Sequence, residues 1–190
     1  MCIRDSDRAV NRKEIAKISL TGNLLETYSC DVYMGAISHY SGNQFILLRY
    51  QNYEGTTTIP FSKELRFYIG EFLNKKFVPT KEFVVINPTF SEEENVANYL
   101  QDIHYDPSFG LYFITLTAGV DYMFRVLPEQ IQNAKSSEPF MPAEQYVFED
   151  AVKEAESPFI ADNGNMYITE NGANNVDRLD KVQTLTFKKN

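Results

Sequence analysis

Between Thr27 and Gly35 the chain reads TYSCDVYMG, apolar and polar in alternation, so that Tyr28, Cys30, Val32 and Met34 share one face and Thr27, Ser29, Asp31 and Tyr33 the other. A period of two is that of a strand with one buried face. Upstream, NRKEIAK reads as one or two helical turns. Downstream, HYSGNQ supplies turn residues before FILLRYQNY, whose continuous apolar start predicts a strand covered on both faces, and Glu54-Gly55 turns the chain into TTTIPF. Residues 17–60 are thereby predicted to form an antiparallel meander.

From Ser62 the period changes. Leu65, Ile69, Phe72 and Leu73 recur at helical spacing, with Lys63, Glu64, Arg66, Lys75 and Lys76 on the remaining surface, and Gly70 marks a close approach to the sheet. KEFVVINPTF reads as a buried strand. SEEENVANYLQDI then carries a capping box, Ser91 with Glu94, ahead of an inward stripe of Val96, Ala97, Tyr99, Leu100 and Ile103, which predicts a second helix ended by YDPSFG. LYFITLT and VDYMFRVL, joined through Ala118 and Gly119, predict a hairpin in which Val120, Tyr122, Phe124 and Val126 alternate with Asp121, Met123 and Arg125. PEQIQNA is one helical turn begun by Pro128, and residues 133–142 have the composition of a linker. AEQYVFEDAVKEAES, with Tyr146, Val147, Ala151, Val152 and Ala155, predicts a third helix that stops before Pro158. The fold class expected from this order is α+β, a mostly antiparallel sheet with about three helices in a single domain, closed by the strand KVQTLTFKK. No repeat period is evident.

Composition narrows the function classes. With 190 residues, 43% of them hydrophobic, the chain is long enough for one substantial core. No apolar run approaches the roughly 18 residues of a membrane span, so a soluble, by default cytoplasmic, protein is expected. MCIRDS, residues 1–6, resembles the translated read-through of a sequencing adapter of the kind that ends open reading frames in metagenome assemblies. The domain is therefore expected to begin at Asp7, and a lost upstream segment would hide any secretion signal. That reading also sets Cys2 aside and leaves Cys30, mid-strand on an apolar face, as an inert core thiol. Net charge is −8, unevenly spread: residues 1–90 hold eleven Lys or Arg and nine Asp or Glu, residues 91–190 hold seven and seventeen. So acidic a second half argues against wrapping nucleic acid. Arg8, Arg12, Lys13 and Lys17 beside Tyr28 and Tyr33 read as a solvated N-terminus rather than a basic patch.

Candidate chemistry is sparse. His39 and His104 are the only histidines. Asp102, His104 and Asp106, with Tyr105, form a potential acid–base cluster for a small hydrolase or glycan-processing enzyme. IADNGNMYITENGANNVD, residues 160–177, is rich in oxygen ligands. Asp162, Asn163, Asn165, Glu170 and Asp177 suit an irregular calcium loop, yet Gly164 falls at the third position and breaks the regular calcium-loop register. Asn163-Gly164 between apolar flanks instead signals a hairpin turn. No nucleophile elbow, phosphate loop or dinucleotide fingerprint is present. Tyrosines are numerous, and Tyr28, Tyr33, Tyr50 and Tyr53 are candidate interface residues because tyrosine buries area while keeping a polar tip. The expected function is a non-enzymatic binding or structural subunit, such as a virion or other assembly component, joined to a protein partner or to copies of itself. The hydrolase is the alternative and calcium-dependent binding the third reading, with calcium the one cofactor considered.

Overall fold

The computed structural model describes residues 13–49, 53–54, 57–58, 62–93, 98–148, 153–161, 164–172 and 181–186. In chain order the elements are β1 (Glu14–Ile18), β2 (Leu24–Ser29), β3 (Met34–Ser41), β4 (Gln44–Arg49), β5 (Tyr53–Glu54), β6 (Thr57–Thr58), β7 (Glu64–Leu73), β8 (Lys76–Ile86), β9 (Asn98–Asp106), β10 (Gly110–Thr117), β11 (Val120–Val126), α1 (Pro128–Asn133), β12 (Glu144–Phe148), β13 (Lys153–Ile160), β14 (Asn165–Gly172) and β15 (Lys181–Thr186). The architecture is mostly β rather than α+β, and α1 is the single short helix among the described residues.

Three sheets stack as layers. The first has six strands in the order β1-β2-β8-β7-β4-β3, the second four in the order β12-β11-β10-β9, and the third three in the order β13-β14-β15. Ile46, Leu48, Leu65, Phe67, Ile69, Phe83 and Val85 from the six-stranded sheet pack against Ile103, Leu111, Phe113, Phe124 and Val126 of the four-stranded sheet. The opposite face of the four-stranded sheet, with Tyr112, Ile114 and Met123, packs against Ala155, Ile160, Met166 and Ile168 of the three-stranded sheet. At β10 this middle layer has no solvated face, which is why β10 reads LYFITLT, apolar at nearly every position rather than at every second one. Each completely buried aliphatic or aromatic side chain here contributes on the order of 1.5–3 kcal/mol from its removal from water.

All three helices expected from apolar spacing give way to strands. In β7, Leu65 and Ile69 are four apart, a spacing common to a helix face and to every second position of one strand face. Buried Phe67 lies between them, and the half-buried Arg66 and Tyr68 point the other way, so the period is two. In β9, Leu100 and Ile103 are three apart yet both reach the core. They pair with Thr115 and Phe113, so Gln101 and Asp102 together oppose Ile114 alone, and this bulge shifts the alternation by one residue. The capping box preceding it lies partly outside the described residues, and Ser91 Oγ accepts the Glu93 amide at 3.3 Å. The third expected helix splits into β12, where Tyr146 and Phe148 face inward while Gln145 and Val147 are exposed, and β13, an edge strand that tolerates Pro158 because one side of its ladder is unused.

Other expectations match the structure. Ile46, Leu47 and Leu48 of β4 are buried on both faces, β10 and β11 form the hairpin through Ala118 and Gly119, and Pro128 opens α1. β13 and β14 pair as a hairpin with Gly164 at φ 79° in the connection, while Asn163 lies outside the described residues. The meander does not form. β1–β2 and β3–β4 are separate hairpins at opposite edges of the six-stranded sheet, with β8 and β7 between them. Residues 133–142 lead from α1 to β12, and Phe140 bridges β8 through Phe140 N to Val84 O (3.2 Å) and Ile86 N to Phe140 O (2.8 Å).

Candidate functional site

β9 is an edge of the middle sheet, and β13 is an edge of the three-stranded sheet that packs on it. Asp102, His104 and Asp106 fall at alternate positions of β9 and share the face turned toward β13. The three residues form a row, and each has its own local partners.

Asp102 accepts the Ser157 hydroxyl at 2.6 Å through Oδ2 and the Ile103 amide at 2.8 Å through Oδ1. Burial pushes its carboxyl above the usual value, and those two hydrogen bonds oppose the shift. His104 meets the edge of the Phe159 ring, centroids 5.5 Å apart, and burial lowers its pKa while the Asp106 charge pulls it back up. Asp106 caps the β9–β10 turn, accepting the Ser108 and Phe109 amides at 2.7 and 3.1 Å. Tyr105 points to the opposite side, where its ring packs 4.7 Å from Tyr40; burial first, then Tyr40, raises its pKa to about 12.

Sequence reading missed the partners of this row. Ser157 lies at a bulge in β13, and Asp121, only 4% exposed, accepts the Ala155 amide two residues earlier at 2.7 Å. Asp102 and Asp121 thus hold the edge of the three-stranded sheet at two points. The signal for Asp121 was present: Met123 sits on the same face of β11 and would be out of place toward solvent. Beside them, Arg125 donates to Phe109 O (2.6 Å) and Glu144 Oε1 (2.9 Å), lies over the Tyr112 ring, and shares Glu144 with the Tyr146 hydroxyl. Burial raises the Tyr112 pKa to about 12 and also raises that of Tyr146.

The remaining candidates that are described do not gather into one site. Of the calcium loop, Asp162, Asn163 and Asp177 lie outside the described residues, Glu170 is placed by its backbone pairing with Ala155, and Asn165 begins β14 with its carbonyl accepting the Ala161 amide at 2.9 Å. Among the described residues no group of three or more His, Cys, Asp or Glu is arranged to hold a metal ion. The Tyr28 ring is tilted against Phe72, centroids 4.6 Å apart, and its hydroxyl donates to Glu26, Tyr33 lies beneath the Lys13 ammonium at 4.8 Å, Tyr50 lies outside the described residues and so does the side chain of Tyr53. His39 bonds Gly42 O at 2.9 Å within its own turn. Cys30 is buried, and burial raises its thiol pKa, which disfavours the reactive thiolate. Among the described residues no helix is long and apolar enough to cross a membrane. No protein family model matches the chain, and no curated protein is similar to it in sequence.

Proposed function

We propose that the chain is a non-enzymatic binding or structural subunit, acting through contacts with other proteins or with copies of itself as a component of a larger assembly. One observation carries the reading. Every group in the acid–base row is engaged in holding backbone or sheets together: Asp102 with Ser157, Asp106 with its turn amides, His104 under Phe159. Light scattering on a size-exclusion column, with the full chain from about 1 μM to about 1 mM, tests it. Mass above that of one chain supports the reading, and a single-chain mass throughout counts against assembly from this chain alone.

A second reading, a hydrolase using general acid–base chemistry, is favoured by the shared face of Asp102, His104 and Asp106 together with the raised Asp102 pKa. Under it, ester or glycoside substrates are turned over by the wild type, and His104→Ala and Asp102→Asn abolish turnover while leaving the melting transition in place. No turnover in the wild type removes that reading.

A further inference from the structure

The β1–β2 hairpin overhangs its sheet. A single ladder pair, Ser29 with Lys76, joins β2 to β8, and it falls where β2 ends and β8 begins. Because the two strands are parallel, Leu24 to Tyr28 lie beyond the start of β8, past the β7–β8 turn at Asn74 and Lys75. At about 3.3 Å per residue the arm reaches about 17 Å past that point, its turn not included. Among the described residues its base is tied down through Ser29 N to Lys75 O (2.8 Å), the Tyr28 ring on Phe72 and Ile15 against the cluster of Cys30, Leu47 and Phe77.

The far end is apolar on both faces. Ile18 is 44% exposed, Leu20 109%, Leu24 65% and Leu25 57%, and no charged residue occurs from Ile18 to Leu25. The polar groups of the tip meanwhile bond one another: Ser19 N to Asn23 O (2.8 Å), Gly22 N to Ser19 O (3.0 Å), Asn23 N to Ser19 Oγ (3.0 Å) and Asn23 Nδ2 to Thr21 Oγ1 (3.2 Å). Covering such a tip strands few donors or acceptors and removes on the order of 500 Å² of apolar surface from water. A two-stranded ribbon left in solvent is marginal by itself, so the arm gains most from being covered.

We propose that this arm is a self-association element, the β1–β2 tips of two copies of the chain packing against one another across a twofold axis; this rests on the assembly reading above and names its contact. Charge selects the occupant. Lys13, Glu14, Lys17 and Glu26 cancel within the arm, whereas residues 91–190 carry a net −10, so approach by the arms keeps the acidic halves apart. The tip holds neither a cation nor an aromatic ring, and a chain of net charge −8 is repelled from anionic lipid, which disfavours a bilayer as the covering surface. Area sets the strength: two tips together bury about 1,000 Å², near the lower limit for a specific interface, so the dimer is concentration-dependent with a dissociation constant in the micromolar range or weaker.

The test is sedimentation equilibrium on the full chain, on Leu20→Ser/Leu24→Ser/Leu25→Ser, and on the single variants Leu24→Lys and Leu24→Glu, each first shown to keep the wild-type melting transition. The expected result is a wild-type dimer, a weakening of at least tenfold in the triple variant and in each charged variant, and recovery when the two oppositely charged Leu24 variants are mixed. A wild-type oligomer unchanged in every arm variant overturns the proposal and leaves the assembly reading standing through another surface. A wild type that is monomeric to about 1 mM overturns the proposal and, with it, assembly from this chain alone. Arm-dependent flotation with phosphatidylcholine–phosphatidylserine vesicles, without dimerisation, assigns the tip to lipid and overturns the proposal.

Discussion

Gly110 shows how one backbone position carries a fold. Its φ is 103°, and a Cβ built there lies 2.1 Å from the carbonyl oxygen of Val126, because β10 starts beneath the end of β11. Gly110→Ala is therefore expected to destabilise by at least about 2 kcal/mol, read as a shift of the urea midpoint at unchanged slope. Asp102 and His104 make opposite contributions to the pH dependence. Burial raises the Asp102 pKa, so the native state holds its proton to higher pH than the unfolded chain; the stability linked to that proton is full below about pH 3.9 and is lost as pH rises through the folded value. Asp102→Asn keeps an acceptor for the Ile103 amide and a partner for Ser157, so it is expected to match or exceed wild-type stability at pH 7 and to lose that advantage near pH 4. Burial lowers the His104 pKa, so its contribution is full above about pH 6.5 and is lost as pH falls through the folded value. His104→Phe is expected to flatten the loss of stability below pH 6.5, measured by thermal unfolding across pH 4 to 8 (roughly the window set by these values).

At the scale of elements, β9 explains why the helix expectation failed. A helix and a bulged strand both place residues three apart on one face, and Leu100 and Ile103 alone cannot tell them apart. The choice was made by β10, which offers Phe113 and Thr115 as partners and an antiparallel ladder on either side of the bulge. Deleting Gln101 leaves Asp102 alone opposite Ile114 with Leu100 still opposite Thr115, so the bulge is lost without turning Leu100 from the core, and the loss in urea unfolding is expected to stay below the ~3 kcal/mol of a lost core leucine. Where local signals and pairing agree, the elements were legible: Ala118-Gly119 with alternating flanks marks the β10–β11 hairpin, and Pro128 marks the start of α1. The end of α1 at Asn133 agrees with the run PEQIQNA, whereas what completes it is not legible locally: Lys81, fifty residues away, donates to the Ile131 and Gln132 carbonyls at 2.7 Å each.

At the scale of the molecule, the middle sheet is covered on both faces, and this sets the order of local stability. Amides of β10 and β11 are expected to exchange slowest with solvent and those of the β1–β2 arm fastest, measured by native-state hydrogen exchange; equal protection of arm and middle sheet in dilute solution runs against this layering. The acid–base row was half legible. Residue type alone marks Asp102, His104 and Asp106, but their partners Ser157 and Phe159 lie about fifty residues downstream, where the local pattern suggests the end of a helix and the strand after it. Taken by itself, the sequence determined what depends on neighbours along the chain: where turns fall, which short runs are apolar on both sides, and that the charge gathers in residues 91–190. Tertiary structure alone decided which period each ambiguous segment follows, which faces become layers, and which carboxylates are buried. An apolar spacing states that a side chain is covered; only the partner strand states in what geometry, because the ladder's hydrogen bonds and the second layer's apolar surface come from residues distant in the chain.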